Sequence, residues 1–300
     1  MCSDLLRNVG NTPLLELRRV VPPDCARVFA KAEFMNPSGS IKDRIAKYIV
    51  EKAEERGDLK PGATILEVTS GNTGIGFAMV GAEKGYRVVI MMPKSVSVER
   101  RKMIESYGAE LELLEDLLQI QHAVERAIEL AKENPNIFLP RQFSNPDNPQ
   151  AHFETTGQEI LKQAGPDMDA FVMGVGTGGT LMGVGRALRQ ANPNIRIVAV
   201  EPAESAVMSG ESPGKHGIQG FADGFIPEIV RLDEIDEIIK IKTQDAIDMA
   251  KRLVKAEGLF VGISAGANSL AAIQVAQRLG KGKKVITTLP DRGERYLSIW

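Results

Sequence analysis

Short apolar runs rich in valine and isoleucine alternate along the chain with longer stretches of helical periodicity. The predicted strands are Val28–Lys31, Thr64–Val68, Arg87–Met92, Glu110–Leu114, Ala170–Gly174, Ile195–Val200, Glu237–Lys242 and Lys284–Thr288. The predicted helices between them include Arg44–Arg56, Ile75–Lys84, Val98–Tyr107, Gln121–Glu133, Thr155–Gln163, Leu181–Gln190, Thr243–Glu257 and Ala267–Leu279. Short strands that alternate with helices of this length predict an α/β fold with parallel sheets.

The length and composition are those of an ordinary globular protein. The 300 residues, of which 43% are hydrophobic and 25% are charged, supply enough apolar material for a large core in one or two domains. The polar, proline-containing segment Arg141–Gln150 is the predicted boundary between domains. A second loop, Glu201–Phe221, is long and rich in glycine, proline and serine, and loops of this length are usually functional or mobile.

The charge and the cysteine content narrow the function classes. A formal net charge of -2 gives no electrostatic reason to expect nucleic acid or an anionic membrane as a partner. Cys2 and Cys25 form neither a CxxC pair nor a Cys/His cluster, which argues against a disulfide framework and against a metal site. The first ten residues contain an acid and no apolar core of signal-peptide length, so we expect a cytoplasmic protein.

The segment NPSGSIKDR, residues 36–44, predicts a turn followed by a helix with a lysine in an unfavourable position. Ser40 followed three positions later by Asp43 predicts an N-cap with its carboxylate partner. Lys42 then lies in the first helical turn, where the helix dipole disfavours a cation by about 0.3–1 kcal/mol. The dipole favours the neutral amine, which is the form that attacks a carbonyl to make a Schiff base. The alternative is a solvated surface lysine balanced by Asp43.

Two glycine-rich turns each follow a predicted strand and open a predicted helix. The first is VTSGNTGIGFAM, which begins at Val68, and the second is GVGTGGTLMGVG, which begins at Gly174. Each places small residues and backbone N–H groups at the start of a helix, which is an arrangement that binds anions. The alternative for each is a tight turn with a polar cap, but two such turns beside a helix-start lysine favour two anion sites.

The second turn also matches a dinucleotide fingerprint. Gly174, Gly176 and Gly179 have the G-x-G-x-x-G spacing after a strand, and Glu201 follows at the end of the next predicted strand. The match keeps a nicotinamide-binding dehydrogenase as an alternative from another class. Against it, the motif lies in the middle of the chain, not in a leading βαβ unit, and it leaves the first turn and Lys42 without a role.

A nucleophilic lysine, a phosphate-binding turn and a second anion site are together what a pyridoxal phosphate enzyme acting on an amino acid requires. Six motifs support this interpretation, and they are NPSGSIKDR, TSGNTG, QFSNPDNP, GVGTGGT, EGLFVGISAG and GERYLS. In these motifs and in their order the chain resembles the cysteine synthases (O-acetylserine sulfhydrylases), which belong to the fold-type II, tryptophan-synthase-β-like pyridoxal phosphate family. The resemblance extends from GNTPL at Gly10–Leu14 to GERYLS at Gly293–Ser298.

The resemblance implies a fold-type II architecture of two three-layer αβα domains with mostly parallel sheets. Residues 34–141 would form the smaller, mobile domain. Residues 1–33 plus 142–300 would form the larger cofactor-binding domain, with the pyridoxal 5'-phosphate in the cleft between the two.

The resemblance also assigns roles to single residues. Lys42 matches the Schiff-base lysine, which in the family also removes the α-proton of the substrate. Asn72 matches the position that bonds the pyridoxal 3′-oxygen, and Ser264 matches the hydroxyl that faces the pyridine nitrogen. The positions of the phosphate cup are Gly176, Thr177, Gly178, Gly179 and Thr180. The positions of the substrate-carboxylate loop and its partner are Thr69, Ser70, Gly71, Thr73 and Gln142.

The implied activity is a β-replacement that makes L-cysteine from O-acetyl-L-serine and sulfide through an α-aminoacrylate intermediate. The alternative inside the family is cystathionine β-synthase, with homocysteine as the nucleophile. The segment Glu115–Glu125 departs from the family pattern near the active-site entrance and therefore bears on the choice of substrate. The implied partners are the small-molecule substrates and a second copy of the chain in a homodimer. Some relatives also dock a serine acetyltransferase, which this sequence does not reveal.

Overall fold

The computed structural model describes residues 4–69, 71–94, 96–115, 120–221 and 224–298. The chain divides into two compact units, of which the smaller comprises Met1–Val9 and Asn36–Asp147 and the larger comprises Gly10–Met35 and Asn148–Trp300. Helix α1 (Asp4–Arg7) packs on α3 (Asn72–Lys84), which explains why the N-terminal segment falls in the smaller unit. The mobility of a smaller domain and its predicted limits at 34–141 stay a prediction.

The smaller unit contains a four-stranded, fully parallel sheet in the order β5-β4-β3-β6. Its strands are β3 (Thr64–Val68), β4 (Arg87–Pro93), β5 (Glu110–Leu114) and β6 (Ile137–Phe138). Its other helices are α2 (Lys42–Arg56), α4 (Val98–Ser106) and α5 (Ile120–Glu133). The strands and helices alternate along the chain, as the apolar pattern predicts.

Helices cover both faces of this sheet. Leu66 and Val68 of β3 pack with Ala123 and Ala127 of α5 on one face. The intervening residue, Glu67, therefore points to the opposite face because side chains alternate along a strand. On that face Ile90, the β4 residue in register with Glu67, contacts the start of α3. The smaller unit is thus a three-layer αβα structure.

The larger unit contains a six-stranded sheet in the order β1-β2-β10-β7-β8-β9. Its strands are β1 (Leu14–Leu17), β2 (Arg27–Lys31), β7 (Ala170–Gly174), β8 (Arg196–Pro202), β9 (Glu237–Ile241) and β10 (Lys284–Thr288). Its helices are α7 (Gln158–Ala164), α8 (Gly179–Ala191), α9 (Thr243–Glu257) and α10 (Ile263–Leu279), and α6 (Asp147–Ala151) leads into it. The β1–β2 pair is antiparallel, and the other pairs of this sheet are parallel.

The core of the larger unit lies against both faces of its sheet. Val172 and Val198 pack with Met249 of α9 and Ala272 of α10 on one face. Ile197, whose side chain alternates to the other face, contacts α8. The larger unit is therefore also a three-layer αβα structure, and the predicted fold class is confirmed.

Two parts of the secondary structure differ from the prediction. Strands β1 and β6 are not predicted from the sequence. Strand β1 lies at the edge of its sheet beside a single antiparallel partner, and strand β6 has two residues. The predicted helix Thr155–Gln163 is wrong at its start, where a π-helix covers His152–Gly157 and α7 follows it. A Cβ at Gly157 would lie 2.5 Å from the Ala187 Cβ, so this wider turn brings the backbone of the segment close to α8.

Within the described ranges, no helix is both long enough and apolar enough to cross a lipid bilayer.

Two glycines of α8 provide a test of this packing. A Cβ at Gly185 would make an ordinary contact, 3.4 Å from Ile197 Cδ1, whereas a Cβ at Gly183 would overlap the Pro149 carbonyl oxygen. We expect Gly185→Ala to raise the unfolding free energy by about 0.5–1 kcal/mol, because alanine loses less backbone entropy in a helix. We expect the matched Gly183→Ala to lower it by about 1–3 kcal/mol through overpacking. Urea unfolding of both variants measures the difference, and equal effects would contradict this packing.

Candidate active site

Lys42 lies in the first turn of α2, as the sequence predicts, and is the first residue of the helix, but the predicted cap is wrong. The N-cap position is Ile41, which makes no side-chain capping bond. The Ser40 hydroxyl accepts a long bond from the Lys42 backbone N–H at 3.3 Å. Asp43 instead accepts a bond from the Ser38 backbone N–H at 2.6 Å and another from the Ser38 hydroxyl.

The reason is a tight turn immediately before the helix. The Gly39 N–H donates to the Asn36 carbonyl at 2.8 Å, and Gly39 has a φ of 91°, in the left-handed region that favours glycine. This turn brings Ser38 back over the first helical turn, so Asp43 reaches Ser38 rather than Ser40. Lys42 is half-buried at the end of this turn.

The starts of α2 and α3 are packed against each other. A Cβ at Gly76 would lie 3.0 Å from the Lys42 carbonyl oxygen and 3.2 Å from the Ala46 Cβ. Gly76 is one turn beyond Asn72, which is the first residue of α3. The first turn of α2 therefore packs against α3 one turn beyond the start of α3.

The loop between β3 and α3 is closed by its own polar groups. The Thr69 N–H donates to the Met91 carbonyl at 3.0 Å, and the Gly71 N–H donates to the Thr69 hydroxyl at 3.1 Å. A Cβ at Gly71 would lie 3.5 Å from the guanidinium Nη1 of Arg100, a residue of α4 that is 2% exposed. The loop thus has a buried cation beside it. Ser70, the other residue assigned to it, lies outside the described residues.

Gln142 joins this loop from a distant part of the chain. The Thr73 hydroxyl donates to Gln142 Oε1 at 2.6 Å, and Gln142 Nε2 donates to the Val68 carbonyl at 3.3 Å. Thr73 and Gln142 are each 2% exposed. Arg141, immediately before Gln142, has a φ of 55°, which is uncommon for a residue with a side chain. The structure therefore brings the side chains of Thr73 and Gln142 together, and their role in binding a carboxylate stays a prediction.

Glu67 is a buried acid directly behind this loop. It is 5% exposed, and burial raises the pKa of its carboxyl to about 8. Nearby polar groups of Val68, Arg141 and Gln142 lower this pKa in part. Glu67 Oε2 is buried and has no hydrogen-bond partner among the residues that the structure describes.

In the larger unit, the turn after β7 contains glycines at positions where a side chain would not fit. A Cβ at Gly176 would overlap the Gly220 carbonyl oxygen, and one at Gly179 would overlap the Asn148 side chain. Gly178 is the N-cap of α8, with a φ of 84° in the left-handed region. The first intrahelical bond runs from the Met182 N–H to the Gly178 carbonyl, so the preceding amides are left at the start of the helix.

Two threonine hydroxyls of this turn are nearly buried and are held by polar side chains. The Asn148 amide donates to the Thr177 hydroxyl at 3.0 Å. Thr180 Oγ1 lies 3.1 Å from His152 Nε2, and His152 Nδ1 lies 2.9 Å from Thr156 Oγ1. These contacts fix the direction of the hydroxyls at the helix start. The phosphate-cup residues predicted from the sequence are therefore all found in one turn.

Ser264 lies in the first turn of α10 and is 4% exposed. The N-cap of this helix is Gly262, whose N–H donates to the Asp291 carbonyl at 3.1 Å. Ser264 thus does not occupy the N-cap position, and its hydroxyl is placed at the start of a 17-residue helix.

The surroundings of Glu201 contradict the alternative of a dinucleotide-binding site. The Glu201 carboxylate accepts bonds from the Met208 N–H at 2.9 Å and from the N–H and hydroxyl of Ser209. It is 0% exposed and closes the loop that follows β8. It is therefore a structural residue of that loop and not a ribose-binding group.

Sequence reasoning did not find four residues of the candidate site, Glu67, Arg100, Asn148 and His152. For Glu67 a signal was available, because an acid interrupts the apolar strand TILEV. The other three residues act through contacts between segments far apart in the chain, and no local pattern marks them.

The turn after β7 fits a phosphate group, since it combines small residues, two directed hydroxyls and the amides of a 13-residue helix start. With a lysine that begins a second helix, these features define an α/β enzyme with a phosphate-bearing cofactor. The chain belongs to the pyridoxal-phosphate dependent enzyme family, whose model matches residues 5–291. The cofactor is accordingly pyridoxal phosphate.

Individual relatives extend this similarity over almost the whole chain. A cysteine synthase of Staphylococcus aureus (strain Mu50 / ATCC 700699) is 52% identical over 297 residues, which are 99% of this chain and 96% of that protein. A solved O-ureido-L-serine synthase has a TM-score of 0.94 and 44% identity, and the match covers 100% of this chain and 95% of that one. The cysteine synthase (OASS) of Entamoeba histolytica also has a TM-score of 0.94 and 44% identity, over 100% of this chain and 90% of that one.

The raised pKa of Glu67 predicts a pH dependence of stability. Between about pH 4.5, where the unfolded carboxyl titrates, and the folded value of about 8, the native state holds a proton that the unfolded state has lost. Glu67 therefore lowers the unfolding free energy as pH rises through this window, by up to about 1.4 kcal/mol per pH unit. Glu67→Gln should remove this slope and gain stability over the wild type towards pH 8. Urea unfolding across the range measures it, and parallel curves for the two proteins would contradict the assignment.

Proposed function

We propose that this chain makes L-cysteine from O-acetyl-L-serine and sulfide by a pyridoxal-phosphate dependent β-replacement. The observation that carries the proposal is the packing of α2 on α3, in which Lys42 at the start of α2 lies against Gly76, one turn beyond Asn72 at the start of α3. The 52% identity to a named cysteine synthase supports this choice of reaction. The two solved structures have equal identities and different products in their names, so likeness of fold alone does not select the product.

The bound cofactor supplies an aromatic electron sink that makes the substrate α-proton acidic and lets the acetoxy group leave from the β-carbon. The residues proposed to hold its phosphate are Gly176, Thr177, Gly178, Gly179 and Thr180. Asn72 is proposed to bond the 3′-oxygen. Ser264 is proposed to face the ring nitrogen with a neutral hydroxyl, which moderates the sink and favours elimination over transamination.

Lys42 is proposed to hold the cofactor aldehyde carbon through its amine and to move the proton at the substrate α-carbon. Its position in the first turn of α2 supports this role, because the helix dipole favours a neutral amine there. The amine takes the α-proton when acetate leaves and returns it after sulfide has added to the β-carbon. The balance of the reaction is O-acetyl-L-serine plus hydrogen sulfide to L-cysteine plus acetic acid.

The loop at residues 69–73 is proposed to bind the substrate carboxylate together with Gln142. The Thr69 hydroxyl, the backbone N–H groups at the start of α3 and the buried Arg100 beside Gly71 support an anion at this place. Ser70 is included in the proposal by resemblance. Closure of this loop over the carboxylate would exclude water from the reacting carbon.

We also propose that the protein is cytoplasmic and forms a homodimer. Both rest on the resemblance to cysteine synthases.

The role of Lys42 is tested by Lys42→Ala. We expect turnover to fall by at least about 10³-fold, because both cofactor attachment and proton transfer lose their amine. The fold should persist, since a first-turn lysine contributes little to stability or opposes it. Borohydride reduction of the wild-type holoenzyme, followed by peptide mapping, should find the cofactor on Lys42. Lys47→Ala, on the same helix, is the control and should keep wild-type turnover.

This assignment is wrong if Lys42→Ala retains substantial β-replacement activity, or if reduction attaches the cofactor to another lysine.

The choice of nucleophile is tested by two side-by-side assays of kcat/KM. O-Acetyl-L-serine with sulfide should exceed serine with homocysteine by at least about 10-fold, which corresponds to 1.4 kcal/mol in activation free energy. The physical reason is that sulfide needs no binding site for an amino acid, whereas homocysteine needs both room and polar partners. A reversed order would make the chain a cystathionine β-synthase.

A further inference from the structure

The imidazole ring of His152 joins two threonine hydroxyls. Its Nδ1 lies 2.9 Å from Thr156 Oγ1, and its Nε2 lies 3.1 Å from Thr180 Oγ1. Thr156 belongs to the π-helix His152–Gly157, and Thr180 lies in the first turn of α8. His152 and Thr156 are 1% and 0% exposed, whereas Thr180 is 7% exposed. The three side chains therefore form a row of hydrogen bonds that leads from the core to the start of α8.

The Thr156 hydroxyl determines which ring nitrogen of His152 carries the proton. A hydroxyl has one proton to donate, and burying that proton without an acceptor is unfavourable. Among the residues that the structure describes, His152 Nδ1 is the acceptor within hydrogen-bond distance of the Thr156 hydroxyl. Nδ1 must then be unprotonated, and burial disfavours a charged ring with protons on both nitrogens. The neutral ring therefore carries its proton on Nε2.

This tautomer sets the direction of the Thr180 hydroxyl. Nε2–H donates to Thr180 Oγ1 across 3.1 Å, so the hydroxyl oxygen is the acceptor of this bond and the hydroxyl keeps its own proton to give. That proton has no acceptor among the described residues of the protein, and it lies at a helix start, where backbone N–H groups also favour an anion. The opposite tautomer would draw the proton towards the ring and turn the oxygen lone pairs towards the anion.

The second hydroxyl of the same turn is held in the same way by other groups. The Asn148 amide donates to Thr177 Oγ1 at 3.0 Å, and the Gly179 N–H donates to it at 3.4 Å. With two donors on its oxygen, the Thr177 hydroxyl also keeps its proton for another acceptor. Both hydroxyls of the turn are thus arranged as donors, which is the arrangement that a phosphate requires.

We propose that His152 is a positioning residue for the cofactor phosphate and acts in the tautomer protonated at Nε2, which the Thr156 hydroxyl selects. This inference rests on the function proposed above, in which the turn after β7 binds the phosphate of pyridoxal phosphate. His152 acts through the Thr180 hydroxyl, which it holds with the proton directed to the phosphate. It takes no part in moving the proton at the substrate α-carbon.

The tautomer is measured in the holoenzyme by proton–nitrogen correlation spectra of isotope-labelled histidine rings. The chain has three histidines, and the H152Q spectrum identifies the signals of His152 by their loss. These spectra separate a protonated ring nitrogen from an unprotonated one. We expect the proton of His152 on Nε2 in the wild type, and a rise of the form protonated at Nδ1 in T156V, in which the ring loses the donor to Nδ1. A wild-type ring protonated at Nδ1 overturns the inference.

The effect on the phosphate is measured as the rate at which the holoenzyme loses pyridoxal phosphate to an excess of scavenger, followed by the visible absorbance of the bound cofactor. T156V should lose it at least about tenfold faster than the wild type, since a charge-assisted bond is weakened. T156S keeps the hydroxyl and should restore the wild-type rate. H152Q can place an amide donor near the position of Nε2 and should lose the cofactor more slowly than H152L.

The matched control is T155V. Thr155 lies on the same π-helix, but its hydroxyl donates to the Ala151 carbonyl at 2.6 Å, so its loss should leave the release rate unchanged. Equal release from T156V and T155V overturns the inference, as does equal release from H152L and H152Q. Should the His152 variants not fold, the Thr156 variants decide. A wild-type holoenzyme that makes no cysteine refutes the proposed function instead, and the spectra and release rates still decide the role of His152.

Discussion

The close approach of the Lys42 carbonyl oxygen to Gly76 is the contact on which the smaller unit's part of the site depends. At 3.0 Å from the position of a Cβ, the carbonyl would make an unusually tight contact with a side chain at residue 76. Because Gly76 has no side chain, the first turn of α2 can pack closely on α3. Lys42, the first residue of α2, therefore lies beside α3 one turn beyond Asn72, the first residue of that helix.

Parallel strand pairing supplies the other half of this arrangement. β6 lies beside β3 with the same direction, so the segments that leave the two strands emerge at the same edge of the sheet. For this reason Gln142, which is 69 positions from Thr73, can bond its hydroxyl. Glu67 is placed one residue before the end of β3, where both segments meet, and its burial follows from the helices on its face of the sheet. The parallel pairing of β3 and β6 thus determines which polar side chains meet at this loop.

The sequence predicts the elements with strong local patterns and misses those defined by distant contacts. Strands β3, β5, β7 and β10 and helix α9 have the predicted limits, because each combines a clear apolar period with polar or glycine ends. The cap at Ser40 was wrong because a left-handed glycine just before it redirected Asp43 to Ser38, which a spacing rule does not contain. Each glycine-rich segment follows a strand and opens a helix, as the sequence predicts. Motif resemblance could not find Asn148 or His152, since their partners Thr177 and Thr180 lie 29 and 28 positions away.

The false dinucleotide fingerprint has a physical origin in the same turn. Three different neighbours exclude a side chain there, namely Phe221 at Gly174, the Gly220 carbonyl at Gly176 and Asn148 at Gly179. In each case a neighbouring group of the protein itself leaves no room for a side chain. The glycine spacing after the strand is therefore explained by the close packing around the start of the helix. A dinucleotide site needs the same close approach, and the spacing alone therefore cannot separate the two. What separates them is the use of the other polar groups. The Glu201 carboxylate is bonded within its own loop, whereas the hydroxyls of Thr177 and Thr180 are held by Asn148 and His152 at the start of α8.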